Sequence, residues 1–316
     1  MKPFNVFPYG STINFMRLRM VSLIVAGALM FAAIGAIAIN GFNFALDFTG
    51  GIGVELRMDK PVDIEVARDR LAKAGYSHAQ VQTLGAGTDL LVRLQHEGKG
   101  GAEQAASVGE QVRKAVASPD NPATLRSSAE ISAQVGKELA INGIWALVFV
   151  VVGFLIYISF RFQAKFAAAA IITTLHDVVV VVGWFALTGH EFNLTVLAGV
   201  LSVMGYSIND TIVVFDRVRE NFRTMRAEPT AVLNASINQT LSRTVITSFV
   251  AFLTVLALYL FGGESLRGMA EAQIVGIVLG TLSSIFVACP LLLWFGTTKQ
   301  DLMPKARDEA ELARRP

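Results

Sequence analysis

The chain has 316 residues, of which 53% are hydrophobic and only 16% charged, with 27 basic against 25 acidic side chains and a formal net charge of +2. That composition is far from that of a soluble domain and carries no electrostatic footprint for nucleic acid. A single cysteine, Cys289, and four scattered histidines rule out an intrachain disulfide and offer no metal-ligand spacing, so no cofactor is expected.

Lys2, Arg17 and Arg19 precede an apolar stretch at 20–40. The charge order is that of a signal peptide. The run is too long for one, however, since a signal's apolar region spans roughly 7–15 residues, and it continues into 41–44; a retained first span is expected. Apolar runs at 139–160, 166–189, 192–215, 245–261 and 272–298 bring the expected number of spans to six. Lysine and arginine cluster on alternate connections: Arg161 and Lys165, then Arg217, Arg219, Arg223 and Arg226, then the tail from Lys299. By the positive-inside rule both termini are cytoplasmic and the long segment 47–134 lies outside. The expected division is 1–46 (N-terminus and first span), 47–134 (outer domain), 135–298 (spans two to six) and 299–316 (cytoplasmic tail).

The outer segment reads as a small α+β unit. Residues 53–58 alternate as a strand. Pro61 opens a helix over 61–75 whose Ile64, Ala67, Leu71 and Ala74 recur at helical spacing, with Gly75 suited to its C-cap. Strands are expected at 79–84 and 89–95 around a turn at 85–88, then a helix at 102–117 and a strand at 124–131. This βαββαβ order is the split βαβ, ferredoxin-like motif. His78 and His96 fall here and are expected to be surface side chains.

Three ionisable residues interrupt the apolar runs. Asp210 stands in the fourth span about six residues, or ~9 Å, before the next charge at Asp216. A charge at the centre of a lone membrane helix costs roughly 2.5–3.5 kcal/mol, so such a residue usually faces a partner or a wet path. His176-Asp177 lie near the middle of the third span, and two readings stand for them: a hydrogen-bonded pair that fixes helix packing, or a direct part in proton movement. On the fifth span Gln239, Thr240, Arg243, Thr244 and Thr247 recur at i, i+3 and i+4. This predicts a polar stripe running inward, with Arg243 either meeting Asp210 at matched depth or snorkelling to the interface. Gly276, Gly280, Ser283 and Ser284 suit close helix approach in the sixth span, and Pro290 should kink it.

GVLSVMGYSINDTIVVFDRVREN at 199–221, LDFTGG at 46–51 and QTLSRT at 239–244 together resemble the smaller subunits of the SecD/SecF family of protein-export membrane proteins. That family is a branch of the resistance-nodulation-division superfamily. The resemblance covers nearly the whole chain. It implies a pseudo-symmetric complex with SecD, a place beside the SecYEG translocon with a YajC-like accessory subunit, and use of the proton motive force to complete export of unfolded preproteins across the bacterial inner membrane. Position by position, it assigns the proton-relay aspartate to Asp210, the partner arginine to Arg243 and the histidine–aspartate pair to His176-Asp177. It makes Asp47, Gly50, Gly51, Gly205 and Asn209 motif residues, and it implies no enzyme activity. Two other functions fit a chain of this kind: a small-molecule or lipid exporter of the same superfamily, and a non-transporting scaffold of the translocon.

Overall fold

The computed structural model describes residues 11–77, 79–84, 88–94, 101–131 and 133–298. Lys2, His78, His96, the core of the turn at 85–87 and the tail from 299 lie outside the described residues. Among the described residues six helices are long and apolar enough to cross a membrane: Phe15–Asn40, Gly136–Arg161, Ala164–Thr188, Leu194–Thr224, Pro229–Phe261 and Ser265–Trp294. They arise from α1 (Arg19–Asn40, entered through a 3-10 turn), α5 (Ala133–Arg161), α6 (Ala164–Thr188), α7 (Leu194–Thr224), α8 (Pro229–Phe261), α9 (Glu264–Ser283) and α10 (Cys289–Trp294). The helices run past the apolar runs where polar residues continue the turn pattern. Thus α8 opens at Pro229, whose fixed φ and missing N–H suit the first turn.

The sixth span is one helix with a widened turn rather than a simple kink. Pro290 has no N–H to donate, and its ring would collide with the carbonyl four residues back. The backbone relieves this over Ser284–Ala288, which is π-helical. Helices α6, α7 and α9 form the buried centre, while α1, α5 and α8 are largely uncovered. Small residues allow close contact between α7 and α9. A side chain at Gly199 would strike Met269 and Ala272, one at Gly276 would strike Val203, and one at Gly280 would press on Ser207, so α7 and α9 touch almost backbone to backbone.

Between α1 and α5 lie β2 (Gly51–Met58), α3 (Ile64–Lys73), β3 (Gln80–Leu84), β4 (Asp89–Leu94), α4 (Gly101–Val116) and β5 (Ala123–Ile131). The sheet order is β3-β4-β2-β5 and every neighbouring pair is antiparallel. Alternation on β2 buries Ile52, Val54, Leu56 and Met58. These meet Leu90, Val92 and Leu94 of β4, Ala67 and Leu71 of α3, and Ala105, Val112 and Val116 of α4 in one core. Helix α3 ends as its sequence suggests: Gly75 takes φ +97° and Tyr76 N–H donates to the Leu71 carbonyl at 2.9 Å.

The two halves are knitted at a junction. Strand β1 (Asn43–Phe44), at the exit of α1, pairs in parallel with β6 (Glu191–Phe192), which joins α6 to α7. Phe42, Phe44, Phe48, Phe185 and Phe192 pack their rings around it. The Glu191 carboxylate accepts from Arg93 of β4 in an ion pair and from Gln82 Nε2 of β3 at 2.7 Å, and Gln80 Nε2 donates to Asn43 at 3.2 Å. One glutamate on a membrane-helix connection therefore holds two strands of the extramembrane sheet.

Two outcomes are expected. Gly276→Leu forces a branched side chain into Val203 and should destabilise the helix bundle by about 1–3 kcal/mol, the range for overpacking, read as a lowered melting temperature in detergent. Glu191→Ala removes two charge-assisted bonds that are mostly shielded from solvent and should weaken docking of the sheet by about 2 kcal/mol. Spin labels on the sheet and on the outer ends of the membrane helices should then report a broadened distance distribution, where the parent chain gives a narrow one.

Candidate functional site

Two clusters of polar residues lie within the helix bundle. The first centres on Asp177, which is fully buried near the midpoint of α6. Its Oδ2 accepts from Ser207 Oγ of α7 and from Ser283 Oγ at the end of α9, both at 2.6 Å. Its Oδ1 lies 3.0 Å from His176 Nδ1, and His176 Nε2 lies 3.2 Å from the Ala26 carbonyl of α1. A carbonyl can only accept, so Nε2 carries a hydrogen. A second hydrogen must then sit between Nδ1 and Oδ1, because two lone pairs would otherwise face each other. Whether it rests on the imidazole or the carboxyl, the pair is neutral overall. Four helices are thereby tied to one carboxyl group without leaving a net charge in the bilayer.

The second cluster centres on Asp210 of α7. Asp210 is buried, and its Oδ2 has no hydrogen-bond partner among the described residues. Ser248 and Arg243 of α8 lie near enough to influence the carboxyl, but among the described residues neither closes a hydrogen bond or ion pair with it. Ser248 is itself a hub. Tyr206 Oη donates to it at 2.6 Å, Thr281 Oγ1 of α9 is 2.7 Å away, and Ser248 Oγ lies 2.7 Å from the Thr244 carbonyl. Thr211 on α7 and Thr244 on α8 also leave hydroxyl oxygens without a partner among the described residues. An unsatisfied carboxylate oxygen in such surroundings carries a desolvation penalty of at least about 1–3 kcal/mol, so the arrangement is not one selected for stability alone.

Asp210 and Arg243 do not form the direct pair expected from their spacing. Among the described residues no ion pair closes between them, and Arg243 is exposed. The reason is rotational. The line of α8 that faces inward is Ser236, Thr240, Thr244 and Ser248, a strict i+4 series, all buried. Arg243, Thr247 and Gln239 fall beside that line and are exposed. The polar stripe is therefore real but splits into a buried hydroxyl row and an exposed edge.

The motif residues have separate places. Asp47 Oδ2 accepts from Leu194 N–H at 3.3 Å, setting a carboxylate against the first turn of α7, where the helix dipole favours negative charge. The side chain of Asn193, the N-cap, accepts from Val196 N–H at 2.9 Å. Gly50 (φ +74°) ends the short helix α2 (Leu46–Thr49), and Gly51 (φ +141°) starts β2 with the Leu94 carbonyl and the Leu46 side chain where a Cβ would stand. A side chain at Gly136, near the start of α5, would meet the Phe48 carbonyl and the Gly50 nitrogen. LDFTGG is thus the knot through which α1, α5, α7 and the sheet are joined. Gly205 and Asn209 lie on the exposed side of α7, away from Asp177 and Ser207.

Ser248 and Thr281 were not distinguished as a site by sequence reasoning. Serine and threonine occur throughout these helices, and only the crossing of α7, α8 and α9 selects these two, while Tyr206 shares the Asp210 face of the fourth span by its spacing. Glu191 carried no signal either, since an acidic residue in a short connection is ordinary.

Two family models match: "Protein export membrane protein SecD/SecF, C-terminal" over residues 111–298, and "SecD/SecF GG Motif" over residues 35–62. The first spans both buried clusters and the second the LDFTGG junction. The chain is 43% identical over 304 residues to the protein translocase subunit SecF of Pseudomonas aeruginosa, covering 95% of this chain and 97% of that protein. It is 38% identical over 310 residues to the protein translocase subunit SecDF of Brucella abortus, covering 97% of this chain but 40% of that longer protein. The crystal structure of SecDF from Thermus, a translocon-associated membrane protein, superposes with a TM-score of 0.78 at 36% identity, over 91% of this chain and 39% of its own. The chain thus spans about two fifths of these SecDF proteins and nearly the full length of the single-subunit relative. On family models that take in most of its length, and on relatives this similar from end to end, the chain belongs to the SecD/SecF family of protein-export membrane proteins.

Proposed function

We propose that the chain is the SecF-type half of a proton-driven export complex. It pairs with a SecD-type subunit in the bacterial inner membrane and uses the proton motive force to assist late movement of unfolded preproteins through a SecYEG channel, with a YajC-like subunit alongside. Both termini are cytoplasmic, the 47–134 unit is a periplasmic ferredoxin-like domain, 135–298 is the remaining membrane domain, and 299–316 is a cytoplasmic tail. The role is that of a transport component rather than an enzyme. The sheet order β3-β4-β2-β5 with two helices between its strands supports the ferredoxin-like reading. The excess of lysine and arginine on alternate connections supports the orientation.

One observation carries the energetic part: Asp210 is buried at membrane depth with a carboxylate oxygen that no described group satisfies. A proton arriving there neutralises the group, removes the electrostatic hold of Arg243 and turns an acceptor into a donor. The hydroxyls of Ser248, Tyr206 and Thr281 can each donate or accept, so they re-pair and the contact between α7 and α8 changes. Ser207 lies one turn away on α7 and bonds Asp177, so His176-Asp177 respond to the same shift. The first turn of α7 is held by Asp47 and follows β6, which holds the sheet through Glu191. A small displacement of α7 is thereby passed to the extramembrane sheet. One charge crossing the membrane releases ~2.3 kcal/mol per 100 mV, enough to bias a bistable packing. Full conversion between states needs about 5.5 kcal/mol, so more than one proton or a second energy input is required for a complete stroke.

Exposed polar residues support a SecD-type partner. Arg243 and Asn209 face outward on membrane helices. Such groups are costly against lipid, and a second set of helices covering them removes that cost.

In inner-membrane vesicles carrying the chain with its SecD-type partner, Asp210→Asn keeps the side-chain volume and removes the titratable proton. The expected result is loss of the proton-motive-force-dependent part of preprotein release, with normal complex assembly. Full retention of that dependence removes Asp210 from the relay.

A further inference from the structure

A groove of about 930 Å³ opens between α1, the inner part of α6 and α10, away from the Asp210 cluster. Its walls are apolar: Leu23, Ile24 and Met30 of α1, Ile172 of α6, and Leu291 and Trp294 of α10. Its polar lining is Arg19, Glu228 and Thr230 near the start of α1 and α8, and His176 part-way along, against Ala26. The Arg19 and Glu228 side chains form no hydrogen bond or ion pair among the described residues.

We propose that this groove is a binding site for one membrane phospholipid with an amine-bearing headgroup. Three features fit that occupant. From Arg19 to Met30 the groove follows about eleven residues of α1, a rise of ~16 Å, which matches half of the ~30 Å hydrocarbon thickness. An acyl chain entering at the level of Arg19 therefore passes the contact of His176 with Ala26, ~10 Å in, and ends near Met30. The charges at the mouth are of opposite sign: the Arg19 guanidinium fits the phosphate and the Glu228 carboxylate the headgroup ammonium. Gly27 also leaves room inside the groove, since a Cβ placed on it would meet nothing within 4 Å. The site does not depend on the proton relay, although a chain lying there keeps water from the outer edge of His176.

The test is native mass spectrometry of the full chain in complex with its partner subunit, purified in mild detergent, with defined phosphatidylethanolamine or phosphatidylglycerol added back. The parent complex is expected to retain one phosphatidylethanolamine per copy of this chain. Gly27→Phe places a ring in open groove space on an unstrained helical residue and should reduce that retention at least about tenfold. Gly27→Leu, a better helix former than glycine, should do so less completely. Glu228→Gln should weaken phosphatidylethanolamine without weakening phosphatidylglycerol, and Arg19→Ala should weaken both. The proposal fails if retention is the same in the parent and both Gly27 variants. It fails equally if Gly27→Phe releases the partner subunit while the lipid count stays unchanged, since a protein helix would then be the occupant.

Discussion

A carboxylate buried within a membrane helix bundle is tolerable only if something satisfies it or if it is needed unsatisfied. Asp177 and Asp210 divide along that line. Asp177 accepts two hydroxyl hydrogen bonds and shares a hydrogen with His176, so it binds α6, α7 and α9 together and, through the imidazole, α1. Asp210 forms no hydrogen bond or ion pair among the described residues and has Ser248 and Arg243 of α8 nearby. The contrast of a saturated acid beside an unsaturated one, linked by one turn of α7, is the constraint from which the rest of the bundle follows. The backbone-close packing of α7 on α9 at Gly199, Gly276 and Gly280 brings Ser283 to Asp177 and Thr281 to Ser248.

Helix α7 is the common element of every part. Its first turn meets Asp47 from the LDFTGG junction, its middle carries Ser207 and Asp210, and its far end holds Asn221, which bonds Ser236 and Gln239 of α8 at 2.9 Å each. Arg161, beyond α5's last apolar turn, pairs with Asp216 at 2.7 Å on the same helix. Both ends are thus fixed by polar contacts while the centre rests on hydroxyls that exchange roles readily. In the proposed mechanism this lets a local change in protonation alter the packing at the centre while the ends carry the displacement outward. Glu191 is the last link, because it joins the connection before α7 to two strands of the sheet.

Hydropathy made the six spans legible, since ~20 apolar residues in a row have few other meanings. The strands and helices of the outer segment were legible from alternation and helical spacing, and their ends in the structure lie within a few residues of expectation. Asp210 stood out for the same reason as the spans did, as a charge where the pattern forbids one. The errors came from rotation about a helix axis. Arg243 drew the fifth span's polar stripe toward itself because it is the most polar residue there, yet the series facing inward is the hydroxyl row Ser236, Thr240, Thr244 and Ser248. Spacing identifies residues that share a face but not which neighbour that face meets. Pro290 announced an interruption but not its form, which depends on how the preceding turn widens. The Ser248 hub was not legible at all, because it exists only where three helices cross.

The most direct test of the central claim is infrared difference spectroscopy of the complex in membranes through a pH change. If Asp210 takes up and releases a proton, a protonated-carboxyl C=O band should appear and vanish with pH in the parent, and be missing in Asp210→Asn with the remaining bands intact. A spectrum whose titrating carboxyl bands are identical in parent and Asp210→Asn would contradict the account.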